Sequence, residues 1–290
     1  MPSHDERPEW LRHAVGSALA QEGCSIELIV VDDGSAVPVE DVLADFDDPR
    51  LRVLRVEHRG GYEARNVATA AARAEYLRFI DSDDVFPRDS TAILLGLATT
   101  APGRVIACGA TRWCRADLSR VWDWPAGCPR DASRSYLLQR CAPFLPSLLF
   151  PARVAAAAGP WDTRFRACGD WDFILRAFEN AEVVETRRVT AWYRQHRSSQ
   201  SKDPAAFWEG TCLGVRKYFE RHPEERGGRL ERQARSMLDV LAADIARPRF
   251  PWADARFWRA LARDPTTLRL IAKGQLEPRI RRTWTRLRRG

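Results

Sequence analysis

Residues 76–87 read Tyr-Leu-Arg-Phe-Ile-Asp-Ser-Asp-Asp-Val-Phe-Pro, a short apolar run that ends abruptly in three carboxylates, Asp81, Asp83 and Asp84. The chain then turns at Pro87. In an open α/β sheet, a strand that delivers acids at its C-terminal end places them in the crevice where such sheets bind ligands. Three crowded carboxylates repel one another unless a cation sits among them, and an oxygen-only ligand set suits Mg²⁺ or Mn²⁺. The same letters also fit a solvated acidic turn. The rest of the chain has to choose between the two.

The first two hundred residues alternate strand-like and helix-like segments. Pro8 to Gln21 carries Trp10, Leu11, Ala14, Val15, Ala18 and Leu19 at helical spacing, with Pro near its start. Glu27 to Val31 is a β-branched run that stops at the turn cluster Asp32-Asp33-Gly34-Ser35. Leu51 to Val56 alternates as a strand does, and Gly60-Gly61 opens an Ala-rich helix over 62–74. Tyr76 to Ile80 is the strand that feeds the acids, followed by a helix over 89–97 and a strand over 104–110. This alternation predicts a largely parallel sheet covered on both faces.

Residues 111–130, with Trp113, Trp122 and Trp124, read as a long loop. A helix near 131–142, a short segment at 147–150, a helix over 170–181 and strands at 182–185 and 188–194 follow. Beyond Asp203 the pattern is helical, punctuated by Pro223, Gly227-Gly228, Pro248, Pro251, Pro265 and Pro278. The expected division is an α/β domain over 1–202 and a helical extension with a basic tail over 203–290.

Charge and cysteine usage exclude some classes. The net charge of +7 is concentrated in residues 279–290, which hold six arginines and no acid, leaving the body almost balanced. A body-wide nucleic-acid footprint is therefore not expected. The seven cysteines are scattered with no Cys-x-x-Cys pair, against a disulfide scaffold or structural zinc and for a reducing compartment. No apolar run reaches membrane-span length and no signal peptide opens the sequence, so a cytoplasmic location is expected. In the tail, Ile280, Trp284 and Leu287 lie at helical spacing among arginines, a pattern that fits either peripheral contact with an anionic membrane or a solvated end.

Seven motifs in order resemble those of a family 2 glycosyltransferase of the GT-A fold, across roughly residues 1–200. They are Pro2-Ser3-His4-Asp5, Ile29-Val30-Val31-Asp32-Asp33-Gly34-Ser35, Ala64-Arg65-Asn66, Asp81-Ser82-Asp83, Gly159-Pro160-Trp161-Asp162, Gly169-Asp170-Trp171-Asp172 and Tyr193-Arg194-Gln195-His196. The resemblance implies a Rossmann-like sheet and an inverting transfer of a sugar from a nucleotide-diphosphate donor, UDP most commonly, to a saccharide or lipid-linked acceptor. A surface polysaccharide or glycolipid product follows by analogy.

By the same resemblance, Asp83 is the direct Mg²⁺ or Mn²⁺ ligand, and Asp81 reaches the ribose or a metal-bound water. His196 contacts the metal or the diphosphate. Ser3, His4, Asp33 and Arg65 hold the nucleotide, Asp33 by accepting a bond from a ring N–H. Asp170 is the general base that deprotonates the acceptor hydroxyl, with Asp172 as the competing candidate. Local chemistry alone also reads Asp33 as a turn residue, and Asp170 and Asp172 as an N-cap and a dipole-compensating acid. Trp113, Trp122 and Trp124 fit either sugar stacking or core packing.

Three departures stand out. His4 occupies the usual tyrosine position, Gly169 replaces the usual glutamate, and the apolar run expected before Pro2 is missing from the sequence. The first strand is accordingly expected to lie largely upstream, with Met1 an internal methionine near its end. In the resembling fold that strand sits between the Glu27–Val31 and Tyr76–Ile80 strands. Two rivals remain at this level: a nucleotidyltransferase, which would carry a Gly-rich basic loop after its first strand, and a non-catalytic relative that binds nucleotide or carbohydrate.

Overall fold

The structure is a computed structural model describing residues 1–100, 104–124, 132–139, 143–196, 203–246 and 251–267. The basic tail at 278–290 lies outside the described residues, as does the side chain of Trp124. The fold is α/β, as expected.

The first sheet has the order β1 (Pro2–Ser3), β2 (Leu28–Asp33), β3 (Leu51–Val56), and all its pairs are parallel. Side chains alternate along a strand, so the unbroken apolar run Leu28–Val31 of β2 serves both faces of the sheet. Leu28 and Val30 pack with Leu11, Ala14, Val15 and Ala18 of α1 (Pro8–Leu19). Ile29 and Val31 pack on the opposite face with Ala64 and Ala68 of α3 (Gly61–Ala71). The four-residue α2 (Val39–Val42) follows β2.

β2 continues two residues beyond its expected end, through Asp32 and Asp33, because both buried carboxylates find partners. Asp32 accepts from the N–H groups of Ser35 (2.8 Å) and Val39 (3.1 Å) and from Arg55 (2.9 Å). Burial alone would raise its pKa, yet these donors hold it below the usual value. Pro2 pairs with Val31, and the Met1 carbonyl accepts from the Val31 N–H at 2.8 Å. The end of the first strand is thus in place.

The second sheet is mixed, where a largely parallel one was expected. Its order is β4 (Tyr76–Leu77), β7 (Leu148–Pro151), β5 (Val105–Cys114), β6 (Arg120–Trp124), with β8 (Glu182–Arg194) parallel to β5. The β4–β7, β5–β7 and β5–β6 pairs are antiparallel. β1 and β4 are end strands of separate sheets, each only two residues long, so no single sheet runs across them. The expected loop over 111–130 is in part a hairpin. Trp113 pairs with Trp122 and Arg112 with Asp123, whose ion pair closes at 2.8 Å. Helices α4 (Ser90–Ala98) and α6 (Ala152–Ala158) complete the elements that flank these strands.

The chain forms two compact units. One comprises Met1–Arg130, Pro143–Arg164 and Arg176–Ser199 and contains both sheets. The other comprises Asp131–Ala142, Phe165–Leu175 and Gln200–Gly290. Its described elements are α5 (Ala132–Gln139), the first turns of α7 (Gly169–Phe178), α8 (Pro204–Arg221), α9 (Arg229–Ala246) and α10 (Ala255–Arg263). Within it, α8 approaches the Trp171 ring so closely that a Cβ on Gly214 would fall 2.4 Å from it. The Trp171 indole N–H donates to the Tyr136 carbonyl at 3.2 Å. No helix among the described residues is long and apolar enough to cross a membrane.

Candidate functional site

β4 stops at Leu77, and the buried side chains of Phe79 and Ile80 carry the chain inward before it turns through the acids. The turn closes with the Asp84 N–H donating to the Asp81 carbonyl at 3.1 Å. One carboxylate oxygen from each of Asp81, Asp83 and Asp84 lies within 4.8 Å of the others. Asp81 is paired with Arg65. Asp83 accepts from His196 Nε2 at 2.6 Å, and the His196 ring lies 4.5 Å from the Trp10 ring. Asp81, Asp83, His196 and Arg65 are therefore brought together, as their assignment to one site requires.

Asp84 is fully buried. Its Oδ1 accepts from the Arg194 N–H at 2.9 Å, and its Oδ2 has no hydrogen-bond partner among the described residues. Burial first, then repulsion from Asp83 and Asp81, pushes this carboxyl well above its usual pKa. A carboxylate trio with a buried orphaned oxygen and an adjacent imidazole fits a small divalent ion of hard character.

Sequence reasoning missed Glu6. It accepts from Ser82 Oγ at 3.3 Å, and its pKa is raised by burial and further by Asp83. Only the fold brings residue 6 to residue 82, so no local signal could have found it.

A first prediction arises from Asp84. Its folded-state pKa lies above that of the unfolded chain, so its contribution to stability is complete below pH of about 4 and is lost as pH rises. Asp84→Asn keeps the acceptor for Arg194 and removes the repelled charge. Without metal it should raise Tm by about 2–4 °C at pH 8, and by less at pH 5. Equal shifts at both pH values in thermal melts would contradict this.

The second group of residues gathers at the end of β2. Gly34 holds φ +71°, and a Cβ there would fall 2.9 Å from the His58 backbone nitrogen, so the chain can turn tightly here only as glycine. Asp33 is buried, and its carboxylate accepts from the N–H groups of Arg59 (2.8 Å) and Gly60 (2.9 Å). His4 and His58 both donate from Nδ1 to the Asp33 carbonyl, at 2.8 and 3.0 Å. Their rings stack 4.0 Å apart at 22°.

Asp5 takes a left-handed conformation, φ 46°, and accepts from the Ala36 N–H at 2.7 Å, which fixes the segment carrying His4. Ser3 Oγ is buried with no partner among the described residues. His58 is a further residue that the sequence did not single out. One possible ligand atom from each of His4, Asp33 and His58 also lies within 4.8 Å of the others. Near-parallel rings, however, aim their lone pairs side by side rather than at a common point, so the group is better described as a stacked pair above a buried acid.

Asp170 and Asp172 belong to the second unit. Asp170 lies in the first turn of α7, where its Oδ1 accepts from the Trp171 N–H at 2.9 Å. Asp172 is fully buried and paired with Lys217 Nζ at 2.9 Å. The two acids that the sequence could not rank thus have different surroundings.

Residues 1–140 match the family model described as glycosyl transferase family 2. Over these residues the chain is similar to the family 2 glycosyltransferases. The matched segment carries β1 to β6 and the acid turn, while Asp170 and His196 lie beyond it.

Among curated proteins, the chain is 38% identical over 93 residues to the succinoglycan biosynthesis protein ExoO of Rhizobium meliloti, covering 32% of this chain and 27% of that protein. It is 35% identical over 91 residues to the putative teichuronic acid biosynthesis glycosyltransferase TuaG of Bacillus subtilis, covering 30% and 36%. The chain therefore spans only about a quarter to a third of the length of these curated relatives. Among solved structures, S. aureus TarS residues 1–349 in complex with UDP-GlcNAc superposes with a TM-score of 0.60 at 15% identity, over 97% of this chain and 82% of that one. At that identity the likeness establishes the GT-A glycosyltransferase fold.

Proposed function

We propose that this chain transfers a sugar from a nucleotide-diphosphate donor to an acceptor hydroxyl with inversion at the anomeric carbon. The observation that carries this reading is the convergence of Asp81, Asp83, Asp84, Arg65 and His196 in one cluster of a family 2 sequence. His4 and Asp33 frame the site for the base, with Arg65 as a planar cationic partner for base or phosphate. A divalent ion, Mg²⁺ or Mn²⁺, held by Asp83 and Asp81 with His196, would neutralise the leaving diphosphate.

Asp170 is the proposed general base. Asp172 is fully buried and committed to Lys217, whereas Asp170 is only partly buried. Asp170 would take the acceptor proton as the hydroxyl attacks opposite the leaving group. UDP is the proposed nucleotide, in line with the UDP-GlcNAc bound to the TarS structure. A hexosyl group is the proposed cargo, and a saccharide or lipid-linked acceptor of a surface polysaccharide or glycolipid is the proposed partner. The names of the succinoglycan and teichuronic acid relatives support that choice. The basic segment 278–290 is proposed to give peripheral contact with the inner face of a membrane.

The test is release of the free nucleoside diphosphate from UDP-hexoses, with Mn²⁺, with and without candidate acceptors. The proposal expects slow release alone and faster release with an acceptor. Binding of UDP with no release under any acceptor would favour a non-catalytic binding protein.

A further inference from the structure

Arg65 is buried one turn into α3, and its guanidinium reaches Asp81 of the acid turn. Two rings place it there. Its guanidinium carbon lies 5.3 Å from the Trp161 ring centroid and 5.4 Å from that of Tyr62, in the notch of two near-parallel rings 6.2 Å apart at 14°. A cation at this range of an aromatic ring is attracted by the ring quadrupole, more strongly where water is excluded. Trp161 is 2% exposed, so water is excluded here.

Trp161 is itself tied to α3 through its backbone. Its N–H donates to Asn66 Oδ1 at 2.8 Å, and its carbonyl accepts from Asn66 Nδ2 at 3.1 Å. The ring also meets Phe79 edge-on at 5.0 Å, two residues before Asp81. One residue thus meets the cation, the helix that carries it and the segment that leads to its acid.

We infer that Trp161 is a positioning residue of the donor site: it holds Arg65 against Asp81, so that the pair presents a fixed cation to the nucleotide and tempers the affinity of Asp81 for a divalent ion. The inference rests on the donor-site reading given above, and it adds a role for a residue from a loop 80 positions away from the acids. It carries a signature that simple loss of packing lacks. Releasing Arg65 should weaken nucleotide binding, because the cation is no longer placed. It should also strengthen binding of the metal alone, because Asp81 loses a competitor.

The experiment measures UDP binding with Mn²⁺ by calorimetry and Mn²⁺ binding alone by electron paramagnetic resonance, on wild type, Trp161→Ala, Trp161→Phe and Tyr62→Leu. Trp161→Ala should weaken UDP about tenfold and tighten Mn²⁺ alone about threefold, and Trp161→Phe should restore both. Tyr62 is only half-buried, so Tyr62→Leu carries the same opposite-sign test if Trp161→Ala does not fold. Parallel weakening of both ligands, or no change in either, would overturn the inference. Wild type that binds Mn²⁺ but no UDP would remove the donor reading instead. The Mn²⁺ arm alone would then decide whether Trp161 holds Arg65 on Asp81.

Discussion

Asp83→Ala is expected to abolish Mn²⁺-dependent stimulation and to lower nucleotide release from the donor by about 10³-fold. Asp83 makes the contact with His196 at 2.6 Å and shares one cluster with Asp81 and the buried Asp84. Removing its carboxylate takes away the proposed direct ligand and leaves His196 without this partner. The melting temperature should fall little or even rise, since repulsion within the trio is relieved. Activity loss and stability loss are therefore expected to separate. A variant that loses activity only in proportion to its Tm would assign Asp83 a structural role. Kinetics at saturating Mn²⁺ together with thermal melts distinguish the two.

The second large effect is expected at Asp170. Asp170→Asn should lower transfer by about 10³-fold while leaving donor binding unchanged, because a general base acts in the step after binding. Asn preserves the acceptor for the Trp171 N–H, so the first turn of α7 should survive. Asp172→Asn is the informative control. Asp172 is fully buried against Lys217, and neutralising it leaves an ammonium without its carboxylate. That variant should lose stability rather than show a selective fall in the transfer rate. Transfer kinetics, UDP titration and thermal melts on both variants check the assignment. A selective rate loss in Asp172→Asn, with Asp170→Asn active, would reverse it.

Much of this arrangement was legible where one segment carries its own explanation. The apolar run into Asp81, Asp83 and Asp84 announced the acid turn, although the strand expected over Tyr76–Ile80 is only Tyr76–Leu77 and the buried Phe79 and Ile80 lead from it to the acids. The core of β2 was legible for the same reason, although its end was not. Asp32 and Asp33 looked like turn residues, and they extend the strand only because Arg55, Arg59 and Gly60 return to bond them.

The β5–β6 hairpin was hidden because its connection, Arg115 to Ser119, contains no Gly, Pro or Asn, the positive φ falling instead on Leu118. β8 looked like two strands because Thr186 and the arginines after it break its apolar run. Pairing with β5 on one side, with irregular register, tolerates them. Glu6 and His58 were out of reach altogether, and Trp161 stood within a quoted motif with no sign of what it meets. Each matters through a partner brought near by the fold, as Asn66 is to Trp161 across 95 positions.

The central claim is that the acid turn and the end of β2 form one metal-dependent nucleotide site. The most direct test is thermal stabilisation of the wild-type chain by UDP, GDP and dTDP, each with and without Mn²⁺. The account predicts a shift with UDP that grows with Mn²⁺, and smaller shifts with the other two. Equal shifts with and without Mn²⁺, or none with any of the three nucleotides, would contradict it.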